Sequence, residues 1–162
     1  IPMGIKNILV ALSVDMNSSL MTAKYSIYIA KILQAKLIAV YVVDKPTLDK
    51  LVKHRIFLDV EAMEYQQEIE KEAKIFLDRF KQMAESKEVS FEGVGVKGVV
   101  HTEVINKIKE TNADLLIMGE LKEFLSLRDT FYNEGALIFY EAPCPVLVVK
   151  NKKYVDLLYQ SI

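Results

Sequence analysis

The sequence has no tryptophan and very little cysteine. Only one of its 162 residues is a cysteine, so an internal disulfide framework is excluded. A lone thiol is typical of a protein kept in a reducing compartment, because oxidising compartments favour paired cysteines. We therefore predict a cytoplasmic protein.

The sequence also lacks an excess of charge of either sign and any long apolar run. Its 21 Lys and Arg residues oppose 22 Asp and Glu residues, giving a formal net charge of -1, so there is no global attraction for phosphate backbones. No apolar run approaches the ~20 residues that span a bilayer, and the first residues lack the features of a signal peptide. We predict no nucleic-acid binding and no membrane insertion.

What the chain does contain is a regular alternation of two patterns. Hydrophobic residues make up 51% of the sequence, enough at this length for the core of one domain. Short aliphatic runs typical of strands cover residues 5–12, 37–43, 89–96, 114–118 and 145–149. Helical periodicity follows at residues 20–33, 60–85, 102–111 and 130–142. This alternation predicts right-handed crossovers and a doubly wound α/β fold with a parallel sheet.

Two segments fit the alternation less well. Residues 44–59 are mixed in character and contain Pro46, so we predict a loop with a partial helix there. Residues 151–162 form an apolar tail or short helix that carries Tyr154, Val155, Leu157 and Tyr159. We expect this tail to dock on another surface, and a dimer interface is one candidate. The main domain is predicted to cover residues 3–150.

Three motifs resemble those of the universal stress protein family. They are KNILVAL at residues 6–12, ADLLIMG at 113–119 and EAPCPVLVVK at 141–150, and the resemblance covers nearly the whole chain. It implies a five-stranded parallel sheet of order 3-2-1-4-5, as in adenine-nucleotide-hydrolase-like folds. It also implies a homodimer that pairs the last strands, here through Val146, Leu147, Val148 and Val149. An aliphatic edge strand left unpaired risks uncontrolled association, so self-pairing is physically sensible.

The chain departs from the family's phosphate-binding signature. Members that bind ATP carry a glycine, two residues, a second glycine, nine residues, and then Gly-Ser or Gly-Thr after the fourth strand. Gly119 keeps the first position, whereas Lys122, Tyr132 and Asn133 stand at the other three. Glycine is needed where backbone N–H groups approach phosphate beside a helix N-terminus. We therefore predict that large side chains, Tyr132 above all, exclude a triphosphate.

The other half of the implied nucleotide pocket is equivocal. The family's aspartate after the first strand falls on Ser13, and Asp15 can serve only through a local bulge. Val42 and Met118 align with apolar positions of the pocket, but apolar residues there also suit any sheet core. Lys122 keeps ATP open as an alternative, because its ammonium group can bind a phosphate that the lost glycine no longer cradles.

Gly93, Gly95 and Gly98 match the spacing of a dinucleotide-binding fingerprint. They precede the fourth strand instead of following the first, and no acidic residue closes the following strand at the ~20-residue offset expected for a ribose contact. Using them as a turn would also reduce the third strand to a stub. We do not predict dinucleotide binding.

The remaining chemically active residues are isolated in the sequence. His54 and His101 have no Cys, Asp or Glu partners at metal-ligand spacing, so we predict no metal site. His101 opens a helix near the sheet's carboxyl edge, where a capping or surface role is favoured over a functional one. Cys144, between two prolines, is interpreted as a small residue that leads into a buried strand.

No catalytic residue is predicted, and we do not expect an enzyme, although weak ATP hydrolysis stays open. The preferred function is a stress-linked regulatory or interaction module that does not use ATP and acts as a homodimer or with unidentified protein partners. One alternative is an ATP or AMP sensor with a modified phosphate loop. Another is a regulatory domain cut from a transporter or kinase, because Ile1 and Pro2 precede Met3.

Overall fold

The computed structural model describes residues 4–13, 16–120 and 134–162. Within these residues five parallel strands form one sheet: β1 (Asn7–Leu12), β2 (Lys36–Asp44), β3 (Phe91–Gly98), β4 (Leu115–Met118) and β5 (Val146–Val148). The sheet order is β3-β2-β1-β4-β5, and each neighbouring pair is parallel. The predicted fold class and strand order are confirmed.

The described helices lie between the strands and after the last one. They are α1 (Met16–Leu33), α2 (Lys45–Lys53), α3 (Asp59–Ser86), α4 (Val100–Thr111), α5 (Glu134–Glu141) and α6 (Lys152–Gln160). None of them combines the length and the apolar composition needed to cross a membrane. The predicted helix at residues 130–142 is described from Glu134 onward.

Two of the differences from the predicted boundaries have a clear physical cause. Helix α2 fills much of a segment predicted as a loop with a partial helix, because Asp44 caps its N-terminus. Asp44 Oδ1 accepts from the Thr47 backbone N–H at 3.4 Å, and Oδ2 accepts from the Thr47 hydroxyl at 2.6 Å. Strand β3 begins at Phe91 and not at Val89. Val89 is buried, but its N–H donates to Ala84 O at 2.9 Å and closes the end of α3. Apolar character alone could not distinguish a helix end from a strand start.

The central strand β1 is buried on both faces. Ile8 and Val10 pack in a cluster with α1 and α3, whereas Leu9 and Ala11 pack in the opposite cluster with α4 and α5. This double burial explains the continuous aliphatic run, because a parallel strand between two helix layers has no solvent face.

An acidic side chain fixes the start of β1 against β4. The Asp114 carboxylate accepts hydrogen bonds from Lys6 N at 2.9 Å and Asn7 N at 3.0 Å. These two N–H groups hold the pKa of Asp114 below its ordinary value, because they stabilise the charged carboxylate. The contact aligns the first residues of β1 with those of β4.

Helix α6 packs on α1 of the same chain. Val155 is buried in the core cluster, and Tyr159 and Ile162 pack against that cluster. Lys24 of α1 forms a salt bridge of 3.0 Å with Asp156. The C-terminal segment thus docks on its own domain, and any further contact of α6 across a dimer stays a prediction.

We expect Val155→Ala to lower the free energy of unfolding by roughly 1 to 2.5 kcal/mol, because it removes buried apolar surface that joins α6 to α1. The matched control is Lys153→Ala on the same helix, where the side chain is exposed. That change should cost less than about 0.5 kcal/mol. Urea unfolding followed by circular dichroism measures both, and equal losses would contradict the docking of α6.

Candidate functional site

From β1 the chain adds β2 and β3 on one side of the sheet and then β4 and β5 on the other side. Ligands of open α/β sheets bind at this change of side, between β1 and β4. Ala11 of β1 pairs with Met118 of β4, and Leu12 pairs with Tyr41 of β2. Ser13 and Gly119 are the residues that follow these strands. Both therefore lie at the carboxyl edge of the sheet, as the sequence predicts.

Ser13 is occupied by contacts within the chain. It is buried, as is Ser19 of α1. The Ser13 N–H donates to Ser19 Oγ at 3.2 Å, and Ser19 Oγ donates to the Ser13 carbonyl at 3.1 Å. This pair closes the turn from β1 into α1, where the resemblance places an aspartate. Ser19 was not predicted as part of the site.

The apolar residues proposed for the pocket lie in the sheet core. Val42 and Met118 are both buried, and both belong to the cluster that contains Leu9 and Ile138. Gly119 is also buried. Their packing accounts for their apolar character without a ligand.

Four predicted site residues, Asp15, Lys122, Tyr132 and Asn133, lie outside the described residues. Their roles in the altered signature stay predictions from the sequence.

The structure adds a buried carboxylate to this edge of the sheet. Glu134, the first residue of α5, is only 2% exposed. Its Oε2 accepts from the backbone N–H of His101 at 2.8 Å and lies 2.6 Å from His101 Nδ1. An ionised carboxylate at that distance requires the Nδ1 atom to carry a proton.

Glu134 therefore places its carboxyl group at the N-terminus of α4. Helix α4 has no side-chain cap of its own, because its N-cap residue is Val99. The free N–H groups and the positive end of the helix dipole favour a negative group, and Glu134 supplies one from another helix. The capping group is thus Glu134, and His101 contributes the backbone N–H that is capped. This acidic partner was missed because no sequence motif links residues 33 apart.

The glycines at 93, 95 and 98 do not form a dinucleotide-binding turn. Gly93 and Gly95 lie within β3 and pair with Ala39 and Tyr41 of β2, and Gly98 ends the strand with φ +151°. A fingerprint turn would interrupt this ladder. The structure therefore agrees with the sequence-based rejection of that motif.

The other candidate reactive groups are also isolated in space. Burial raises the pKa of the half-buried Cys144 thiol above its ordinary value, which disfavours the nucleophilic thiolate. Across residues 4–13, 16–120 and 134–162, no three His, Cys, Asp or Glu side chains come together as a metal site.

We expect His101→Ala to lower the free energy of unfolding by about 1 to 3 kcal/mol, because it removes the ring that contacts a buried carboxylate. His54→Ala is the matched control, since His54 is the other histidine and is exposed. Its effect should stay below about 0.5 kcal/mol. Thermal and urea unfolding at neutral pH compare the two variants, and equal stabilities would show that the contact contributes nothing.

The fold and the position of this edge define a doubly wound α/β protein with its candidate site at the topological switch point. The model of the universal stress protein family matches residues 4–150. Universal stress protein MJ0531 of Methanocaldococcus jannaschii is 33% identical over 135 residues, which cover 83% of this chain and 76% of that protein. The chain belongs to the universal stress protein family.

Solved structures agree with this fold. A universal stress protein family member from Burkholderia pseudomallei superposes with a TM-score of 0.70 at 20% identity and covers 93% of this chain and 100% of its own. A universal stress protein in complex with cAMP gives a TM-score of 0.63 at 17% identity, covering 91% of this chain and 98% of its own.

Proposed function

We propose that this chain is a homodimeric regulatory module of the stress response that does not use ATP. The observation that carries the proposal is the buried Glu134 carboxylate at the start of α5. We assign no catalytic residue, and the module acts through its surfaces and protein partners.

Glu134 opposes phosphate binding through its charge. The resemblance places phosphates at the N-terminus of the last crossover helix, and α5 starts with Glu134, directly after Asn133 of the altered signature. A carboxylate beside a phosphate lowers the affinity for it, because like charges repel.

The turn after β1 supports the same conclusion. Ser13 stands where nucleotide-binding members have an aspartate, and its contacts go to Ser19 within the chain. Together with Lys122, Tyr132 and Asn133, these departures affect both halves of the implied pocket.

The alternative is a nucleotide sensor. It is favoured by the shared fold with a universal stress protein in complex with cAMP and by Lys122, whose positive charge suits a phosphate. In that case the modified loop would take a nucleotide with fewer phosphates than ATP.

We expect calorimetric titration of the protein with Mg-ATP, AMP and cAMP to show no saturable heat. The variant Lys122→Gly/Tyr132→Gly/Asn133→Ser/Glu134→Gln restores the signature residues, removes the opposing charge and should gain ATP binding. Micromolar binding of Mg-ATP to the unaltered protein would overturn the proposal. Micromolar binding of AMP or cAMP without ATP would favour the sensor instead.

The dimer is proposed through the free edge of β5. In the described residues β5 pairs with β4 alone. Val149 N donates to Met118 O, and Pro145 O accepts from Leu116 N. Because alternate residues of a strand point in opposite directions, the N–H groups of Val146 and Val148 point away from β4. They are available to a second copy of the same strand.

Exposed apolar side chains occur on the helices that cover both faces of this edge strand. Val146 and Val148 pack in the cluster that contains Ile138 of α5, and Leu147 and Val149 pack in the cluster of α1 and α6. On α5 and α6 these exposed side chains include Phe139, Tyr140, Tyr154 and Leu157. A second copy would bury apolar surface beside the paired strands.

We expect sedimentation velocity to give twice the chain mass of 18.5 kDa. Val148→Pro removes an outward N–H without touching the bonds to β4 and should give monomer. Val148→Thr keeps the N–H and a similar shape, so it should remain dimeric. A monomeric unaltered protein, or a dimeric Val148→Pro variant, would exclude pairing through β5.

A further inference from the structure

A trough lies between α3 and the β3 edge of the sheet, away from the switch point. Residues of one strand face the same side at every second position, so Phe91, Gly93, Gly95 and Lys97 all point toward α3. The two central positions carry no side chain. The floor of the trough is therefore open backbone at Gly95, whereas the Phe91 and Leu77 side chains cover Gly93.

The trough has the size of a small-molecule site. Its volume is about 480 Å³, within the ~300 to 1,000 Å³ typical of ligand pockets. Ala73 and Leu77 of α3 form an apolar wall. The mouth carries charged side chains of balanced sign: Glu70, Lys74, Asp78 and Lys97. Lys97 and Glu70 form a salt bridge of 3.2 Å, so the site has no preference for a strongly charged ligand.

The hydroxyl group of a largely buried tyrosine opens onto this trough. Tyr41 of β2 pairs in register with Gly95 and is only 3% exposed. Its hydroxyl forms no hydrogen bond with any described residue. Every side-chain N or O atom that is completely buried in the described residues does have a hydrogen-bond partner. The small exposed part of Tyr41 must therefore include its hydroxyl, and Tyr41 lines the trough.

The Tyr41 hydroxyl is a neutral donor at physiological pH. Burial and the nearby negative charge of Glu72 raise the pKa of Tyr41 to about 12. A phenol that keeps its proton can donate one hydrogen bond to an acceptor.

Packing does not require glycine at position 95. A Cβ atom added to Gly95 would meet no atom within 4 Å, and its φ lies outside the left-handed region. Gly93 differs, because a Cβ there would lie 3.1 Å from Phe91 Cε1 and 3.2 Å from Leu77 Cδ2. Since glycine weakens a strand interior, a larger residue at 95 would suit the fold better.

We propose that this trough binds a small, flat, mainly apolar molecule that bears a hydrogen-bond acceptor. The open backbone of Gly95 accepts the flat face, Ala73 and Leu77 line the wall beside it, and the Tyr41 hydroxyl donates to the acceptor. The proposal is independent of nucleotide binding at the switch point, because the two sites share no residue.

The test uses 6-propionyl-2-(dimethylamino)naphthalene, a flat neutral fluorophore whose carbonyl oxygen is an acceptor. We expect saturable binding to the full chain with a blue-shifted emission. Gly95→Val fills the floor and should weaken binding at least ten-fold while leaving the folded state as stable or more stable. Tyr41→Phe removes one hydrogen bond and should weaken binding roughly five-fold.

Glu92→Val is the matched control, because it places valine on the same edge strand but on the opposite face. This substitution removes an exposed ion pair with Lys36. It should bind the fluorophore as the unaltered protein does. Absence of saturable binding, equal affinity of Gly95→Val, or equal losses in Gly95→Val and Glu92→Val would each overturn the proposal. If Gly95→Val changes the oligomeric state but not the binding of the fluorophore, the trough is an interface between copies of the chain. That result would also overturn the proposal.

Discussion

The burial of β1 between two helix layers is the constraint on which the rest of the structure depends. Ile8 and Val10 pack on one face and Leu9 on the other, so the strand cannot shift by one residue without exchanging both sets. Asp114 fixes the same register through the N–H groups of Lys6 and Asn7. The carboxyl ends of β1 and β4 consequently lie side by side, and this placement creates the candidate site.

At that site several polar groups find their partners within the chain. The N-terminus of α4 receives the Glu134 carboxylate, and hydrogen bonds between Ser13 and Ser19 join the end of β1 to α1. Both contacts lie at the carboxyl edge of the sheet, where β1 and β4 are neighbours.

Much of the fold was predictable from sequence because its signals are local. The aliphatic runs of β1, β2, β4 and β5 and the helical repeats of α1 and α3 follow the periods of strand and helix. The exceptions arose where the same residue types serve two purposes. Val89 is as apolar as a strand residue, but its N–H closes the end of α3. The mixed composition of α2 does not predict a helix, and the Asp44 cap marks where this helix begins.

The sequence by itself determined the α/β alternation and the family, because each is written in neighbouring residues or fixed spacings. Only the tertiary structure decided that Glu134 meets His101, that Tyr41 lies beside Gly95, and that α6 docks on α1. The physical reason is that burial and hydrogen bonding depend on which distant segments the packed sheet brings together. A pattern in the sequence does not show which distant residues will lie close together in space.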